Sequence, residues 1–312
     1  MIPGFGEYGI LIIFGIIIVI VLALDLGVFQ KKAHFPSMKE ALAWSVAWII
    51  LSLLFNVYVF FTLGHVKGLE FFTGYLIEKA LSVDNIFVFI VILTYFAVPK
   101  ELQHKVLFWG VLGALLFRGI FIVLGAALIA NFHWILYLLG AFLIYTAVKL
   151  AFQEGIEIEP ENNPVLRYFK KHFPITDGYE GTHFFRRRDN RQYITPLFLV
   201  LVVIETSDIA FATDSIPAIF AISKDPIIVF TSNIFAVLGL RSLYFVLANF
   251  MKKFHYLQIG LSIVLGFIGA KMLVEHWIEI PIAISLCVIF GILLISILLS
   301  ILRTKRQASA TR

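Results

Sequence analysis

The sequence predicts an all-α fold: a polytopic transmembrane helical bundle of about nine spans, with the N-terminus outside and the C-terminus inside. Three observations predict it. Of the 312 residues, 60% are hydrophobic and only 14% are charged, a balance that excludes an ordinary soluble domain. Apolar runs of 18 or more residues succeed one another along nearly the whole chain, each long enough to cross ~30 Å of hydrocarbon as a helix. A motif carrying two carboxylates occurs twice, at Glu78-Lys-Ala-Leu-Ser-Val-Asp84-Asn85-Ile86 and at Asp208-Ile-Ala-Phe-Ala-Thr-Asp214-Ser215-Ile216.

The elements follow in order. The run near 8–29 lacks the basic start and small-residue cleavage site of a signal peptide, so it reads as a retained span. Runs near 41–63, 70–98, 105–130 and 134–152 come next, separated by charged or Pro/Gly-marked breaks. Residues 153–192 are the sizeable polar segment and read as a cytoplasmic loop. Its Glu154, Glu157, Glu159 and Glu161 precede Arg186-Arg187-Arg188, a pattern of a solvated loop more than of a metal sensor. The last runs lie near 195–222, 226–250, 256–274 and 280–302. The 32 Phe and 11 Tyr suit lipid-facing and interfacial positions. The single cysteine, Cys287, excludes an intrachain disulfide and a cysteine metal cluster.

Charge sets the direction. The loops 30–40, 99–104, 153–192 and 251–255, with Lys105 at the start of the fourth span and the tail from Arg303, hold 18 of the 25 basic residues, which places them inside. An odd number of spans then requires the N-terminus outside. The net charge of +5 follows from these loops and implies no nucleic-acid partner.

The duplication extends beyond the carboxylates. Gly110-Val-Leu-Gly-Ala-Leu-Leu-Phe-Arg118 matches Asn233-Ile-Phe-Ala-Val-Leu-Gly-Leu-Arg241, and Leu139 through Lys149 more weakly matches Leu265 through Lys271. Residues 70–152 and 195–274 thus form two three-helix copies within one transmembrane domain, 1–312, with spans 8–29, 41–63 and 280–302 peripheral. An offset of three spans makes the second copy enter from the opposite side, an inverted-topology repeat of the kind that holds a site near the bilayer midplane.

Carboxylates at membrane depth cost at least ~2.5 kcal/mol and so mark a function. Glu78, Asp84, Glu205, Asp208 and Asp214 are the candidate metal ligands, with Asp25, Asn85, Arg118, Asn233 and Arg241 in support. The two arginines orient carboxylates and substitute for the ion when the site is empty; Lys79 is a counter-ion. Asp25 is a candidate guard of the inner mouth. Five acids facing Lys79, Arg118 and Arg241 leave an excess of negative charge that a divalent cation or protons would cancel. Oxygen ligands suit Mn²⁺, Mg²⁺ or Ca²⁺ over copper or zinc. Six residues on a continuous helix rotate a side chain by ~120°, so for Glu78 and Asp84 to meet one ion the helix must unwind; Pro217 makes such a break plausible in the second copy.

Leu24-Asp25-Leu26-Gly27-Val28-Phe29, Glu78 through Phe89, Glu205-Thr-Ser-Asp208 through Phe220 and Thr231-Ser-Asn233 through Arg241 resemble the TerC family of integral membrane proteins, and within it the Alx-type members. The resemblance spans the chain, and the family's intramembrane acids fall on Glu78, Asp84, Glu205, Asp208 and Asp214. It implies a multi-pass protein of the bacterial inner membrane, related to LysE-type transporters, that exports manganese; the family name reflects a tellurium-resistance association. The expected function is therefore a secondary carrier expelling Mn²⁺, with no permanently bound cofactor and with Mn²⁺, protons and lipid as partners. The absence of a Walker motif assigns the driving force to ion gradients, and proton exchange is the economical choice. A helper that assembles or metallates other membrane or exported proteins is the alternative. An intramembrane aspartyl protease is disfavoured because Val83 and Thr213, not glycine, precede Asp84 and Asp214, and no His-Glu-x-x-His occurs.

Overall fold

The computed structural model describes residues 5–24, 37–132, 134–152, 163–188, 191–247, 256–274, 278 and 280–310. Its helices are α1 (Phe5–Leu24), α2 (Met38–Leu63), α3 (His65–Tyr95), α4 (Lys100–Asn131), α5 (Ile135–Phe152), α6 (Pro164–His172), α7 (Pro196–Phe220), α8 (Pro226–Leu238), α9 (Leu240–Leu247), α10 (Leu257–Val274) and α11 (Ile282–Ala310); strands β1 (Phe185–Arg188) and β2 (Arg191–Ile194) lie between α6 and α7.

Helix starts follow from capping chemistry. Ser37 Oγ accepts from Glu40 N at 3.3 Å, and Asp225 accepts from Ile227 N at 3.0 Å, with Pro226 filling the first position of α8 where no N–H is needed. Gly64, at φ +94°, makes the reversal between α2 and α3 that a side chain would strain.

Among the described residues six helical segments have the length and apolarity to cross a membrane: α2, α4, α5, α7, α8 with α9 taken together, and Ile282–Arg303 of α11. The apolar stretches of α1 and α10 are shorter. Helix α3 has 31 residues but carries Lys67, Glu70, Glu78, Lys79 and Asp84. The chain is a multi-pass membrane protein. Ile12, Leu54, Phe61, Leu116, Val123, Leu298 and similar side chains are exposed on α1, α2, α4 and α11, which water would penalise and lipid would not.

Helix α8 is the axis of the bundle: every residue from Thr231 through Leu238 is buried. Interhelical contacts fix the directions. Gly74 meets Ser232 and Lys79 meets Ala236, so α3 and α8 run parallel. Gly110 meets Ile204 and Gly125 meets Phe220, so α4 and α7 run parallel. Glu70 meets Ser223 while Gly74 meets Ile219, which makes α3 and α7 antiparallel. Helices α5 and α10 are antiparallel: Gly140 meets Gly269 and Met272, Ala147 meets Gly266, and Gln258 donates to the Leu150 carbonyl at 3.0 Å. At the α5–α10 crossing the backbones touch, for a Cβ on Gly269 would lie 2.7 Å from the Gly140 carbonyl oxygen.

Two expectations change. Neither α3 nor α7 unwinds between its acids. Pro217 lies in the last turn of α7, so the hydrogen bond it removes falls where the helix is about to end. The interruption occurs instead at Gly239, between α8 and α9. The polar segment is also more than a solvated loop. Its described part holds α6 and an antiparallel hairpin, with Phe185 opposite Ile194 and Arg188 opposite Arg191. Phe198 of α7 is packed between Phe169 and Phe185, at ring distances of 5.3 and 4.7 Å. The acids 154, 157, 159 and 161 lie outside the described residues.

Candidate cation site

Arg118 of α4 is 0% exposed and binds three helices at once. Its Nε and Nη2 donate to the two oxygens of Asp208 on α7, at 3.1 and 2.9 Å, a bidentate pair. Its Nη1 donates to Glu78 Oε1 on α3 and to Asn233 Oδ1 on α8, the latter at 3.1 Å. Asn233 Nδ2 closes the ring by donating to Glu78 Oε2 at 2.9 Å, and Ser82 Oγ donates to Glu78 Oε1 at 3.2 Å. Glu78, Arg118 and Asn233 have no measurable exposure and Asp208 has 1%. A charge in such surroundings is tolerable only when paired and hydrogen-bonded, and here each member satisfies another.

Glu205 lies one turn before Asp208 on the same face of α7. Its carboxylate packs directly against Gly113 of α4, occupying the place where any larger residue would put its Cβ. Glu205 Oε2 is buried and has no hydrogen-bond partner among the described residues. Two carboxylates, those of Glu78 and Asp208, pair with the Arg118 guanidinium, and Glu205 lies one turn away from them along α7.

Asp214 stands apart. Six residues beyond Asp208, it turns toward α5, where Thr146 Oγ1 donates to it at 3.1 Å. Asp84 lies on α3, with its side chain outside the described residues, and Asp25 lies outside them altogether. Asn85 is buried at 2%. Arg241, on α9, is buried beside Val21, Trp48, Phe108 and Val111. Lys79 donates from Nζ to the Ala236 carbonyl at 3.1 Å, in the last turn of α8 before the interruption. Its ammonium fits there because Gly239 has no side chain: a Cβ would come within 2.7 Å of Nζ. Among the described residues no three Asp, Glu, His or Cys side chains converge as a ready-made metal cage.

Sequence reasoning missed Ser82, Gly113 and Thr146. Ser82 and Thr146 both lie inside the duplicated stretches, so the duplication was the available signal. It also missed a polar cluster where α3 and α8 begin and α7 ends. Lys67 Nζ is 3.0 Å from Glu70 and 3.2 Å from Asp225, and Ser223 donates to Glu70. This cluster lines a cleft of about 860 Å³ that also includes Lys224 and Lys271. On α3, Glu70 and Glu78 are eight residues apart, ~12 Å along the axis.

Tyr179, in the segment after α6, donates to the Phe96 carbonyl at 2.7 Å and ties that segment to the end of α3. Burial pushes its hydroxyl up to about 12, so it remains a donor at neutral pH.

Residues 63–308 match the family described as integral membrane protein TerC family. The chain is 49% identical over 308 residues to the uncharacterized membrane protein STKORF319 of Myxococcus xanthus, covering 99% of this chain and 97% of that one. It is 47% identical over 296 residues to the putative membrane-bound redox modulator Alx of Escherichia coli (strain K12), with 92% of each chain covered. An uncharacterized membrane protein of Rickettsia bellii is 43% identical over 292 residues, covering 94% of this chain and 97% of that one. No solved structure matches.

Proposed function

The chain belongs to the TerC family of integral membrane proteins, and from that premise we propose that it is a secondary carrier exporting a divalent metal cation, Mn²⁺ first among them, across the cytoplasmic membrane in exchange for protons. The observation that carries this reading is the orphaned oxygen of Glu205, one turn from the buried ring in which Glu78 and Asp208 share Arg118. With Glu78, Asp208 and Glu205 ionised, three negative charges outnumber the positive charges of Arg118 and of Lys79 beside them on α4 and α3. That excess is costly at membrane depth and is relieved when a cation or protons bind.

Glu78, Asp84, Glu205, Asp208 and Asp214 are the proposed ligands, used in part sequentially because Asp214 is held by Thr146 away from the ring. Arg118 stands in for the metal while the site is empty. The oxygen-only donor set favours hard cations; manganese among them comes from the family resemblance. The proposed architecture is the inverted repeat, α3–α4–α5 against α7–α8/α9–α10, within nine spans and with the N-terminus outside. Its support is that exchanging the two copies leaves the helix partners unchanged: α3 with α8 becomes α7 with α4, and α5 with α10 maps onto itself. On this orientation the Lys67–Glu70–Asp225 cluster lies at the outer face.

The E. coli relative's name speaks of redox modulation. Here the sole cysteine is Cys287, so an effect of that kind would pass through the ion moved and not through an internal dithiol.

The test is purified protein in liposomes containing a manganese-sensitive dye. An imposed pH gradient is expected to drive uptake, whereas an imposed membrane potential is not, since one divalent ion against two protons moves no net charge. Glu205→Gln and Asp208→Asn are each expected to stop the flux while leaving the protein in the membrane. Unimpaired flux in both variants would sink the proposal, and absence of flux in the parent protein would favour the assembly role.

A further inference from the structure

The segment between α5 and α7 does more than connect. From 163 to 194 it carries seven Lys or Arg against three Asp or Glu. Asn163 accepts from Val165 N at 2.9 Å and Leu166 N at 3.1 Å, starting α6, and donates from Nδ2 to Thr206 Oγ1 at 2.7 Å. Thr206 is ten residues into α7, ~15 Å from its start. Phe169 meets Phe198, only two residues into α7. Helix α6 therefore lies lengthwise, antiparallel, along the first 15 Å or so of a membrane-spanning helix. The C-terminal end of α6, where Phe169 meets Phe198, is thereby beside the start of that spanning helix, where a bilayer interface begins.

Its faces suit that zone. Leu166 is buried and Phe169 packs on α7. Val165 and Tyr168 are exposed on a neighbouring stripe, Tyr168 at 56%. Arg167, Lys170 and Lys171 are exposed beside them. On the other flank, Lys105 of α4 donates to the Thr182 carbonyl and lies 5.0 Å from the Phe184 ring, while Trp109, itself exposed, meets the same ring at 6.2 Å. Between them the hairpin offers Phe185, Arg186, Arg187 and Gln192 around an open cavity of about 510 Å³. Arg186 is also 3.1 Å from Glu180. Exposed apolar and aromatic side chains beside the start of a spanning helix, with basic groups next to them, match an amphipathic interfacial element.

We propose that this segment is a docking surface for anionic phospholipid headgroups of the leaflet at the start of α7, gripped by Arg167, Lys170 and Lys171 of α6 together with Arg186 and Arg187 of the hairpin. A nucleic acid or acidic protein would need these groups free of the bilayer, whereas α6 lies along a spanning helix with apolar side chains beside its charges. The proposal rests on the chain's membrane-spanning character and is independent of what the carrier moves.

The test uses full-length protein with Cys287→Ser and Tyr168→Cys, labelled at the new thiol with a small fluorophore. It is reconstituted in mixed phosphatidylglycerol and phosphatidylcholine vesicles in which one lipid or the other is brominated. Quenching by brominated phosphatidylglycerol should exceed its share of the bilayer by about fivefold or more, the effect of one basic residue near an anionic surface. Combined Arg167→Gln, Lys170→Gln and Lys171→Gln substitution should remove the excess while quenching by brominated phosphatidylcholine persists, which shows that the helix is still at the interface. Quenching in simple proportion to lipid composition, or an excess indifferent both to that triple substitution and to Arg186→Gln with Arg187→Gln, would overturn the proposal. So would an excess abolished by inorganic phosphate at constant ionic strength, which would assign the groups to a free anion. Metal flux is not the readout, so this result and the transport result stand or fall separately.

Discussion

At the scale of single residues, Arg118 is the side chain on which the centre depends. It is wholly buried and joins α4 to α3, α7 and α8 through four hydrogen bonds. Replacing it with Gln leaves two buried carboxylates without a cation, and breaking a buried pair in this way costs about 3–5 kcal/mol. Thermal unfolding in detergent should show a large loss of stability for Arg118→Gln, partly restored when Asp208→Asn is added, because the second change removes one stranded charge. A double variant no more stable than the single one would contradict the pairing. Gly113 makes the complementary prediction. Gly113→Ala should expel the Glu205 carboxylate from its niche and reduce metal flux severely with little loss of fold, whereas Gly15→Ala, whose Cβ meets nothing within 4 Å, should do neither. The acids themselves were legible in the sequence because a charge in an apolar run is conspicuous. Their division was not: that Arg118 takes Glu78 and Asp208 while Thr146 takes Asp214 depends on which helices touch, and a single chain does not state it.

At the scale of elements, helix positions were readable because a 20-residue apolar run between capping residues admits few alternatives. The expected start near 226 coincides with Asp225 capping and Pro226, and the expected start near 195 with Thr195 ahead of Pro196. Two features stayed hidden for a common reason. The interruption at Gly239 and the helix α6 are both stabilised from outside themselves, by the Lys79 ammonium on the Ala236 carbonyl and by packing on Phe198. A nine-residue helix has marginal stability alone, so local pattern carries little of it. Asn163 is accordingly the residue to test. Asn163→Ala removes a helix cap of about 1 kcal/mol together with the bond to Thr206. Amide exchange across 164–172 should quicken several-fold, leaving α3 and α8 unchanged, and equal protection in both proteins would show that packing alone holds α6.

At the scale of the whole molecule, the direction of insertion is the property most open to direct measurement. In a Cys287→Ser background, a cysteine at Lys224 should react with a membrane-impermeant maleimide in intact cells, and one at Asp177 should react only after lysis. The reverse pattern would invert the proposed direction of transport. The crossing of α5 and α10 sets a further condition. Where Gly140 and Gly269 meet, no layer of side chains separates the two backbones, so nothing there can deform to let one helix slip past the other. The pair is a stiff beam with one end of a latch mounted on it: Thr146 rides on α5 and holds Asp214 of α7. Any swing that parts α7 from this beam must release Asp214, and any return must catch it again. Access to that carboxylate is thereby geared to the motion of helices whose own contact is made of glycine.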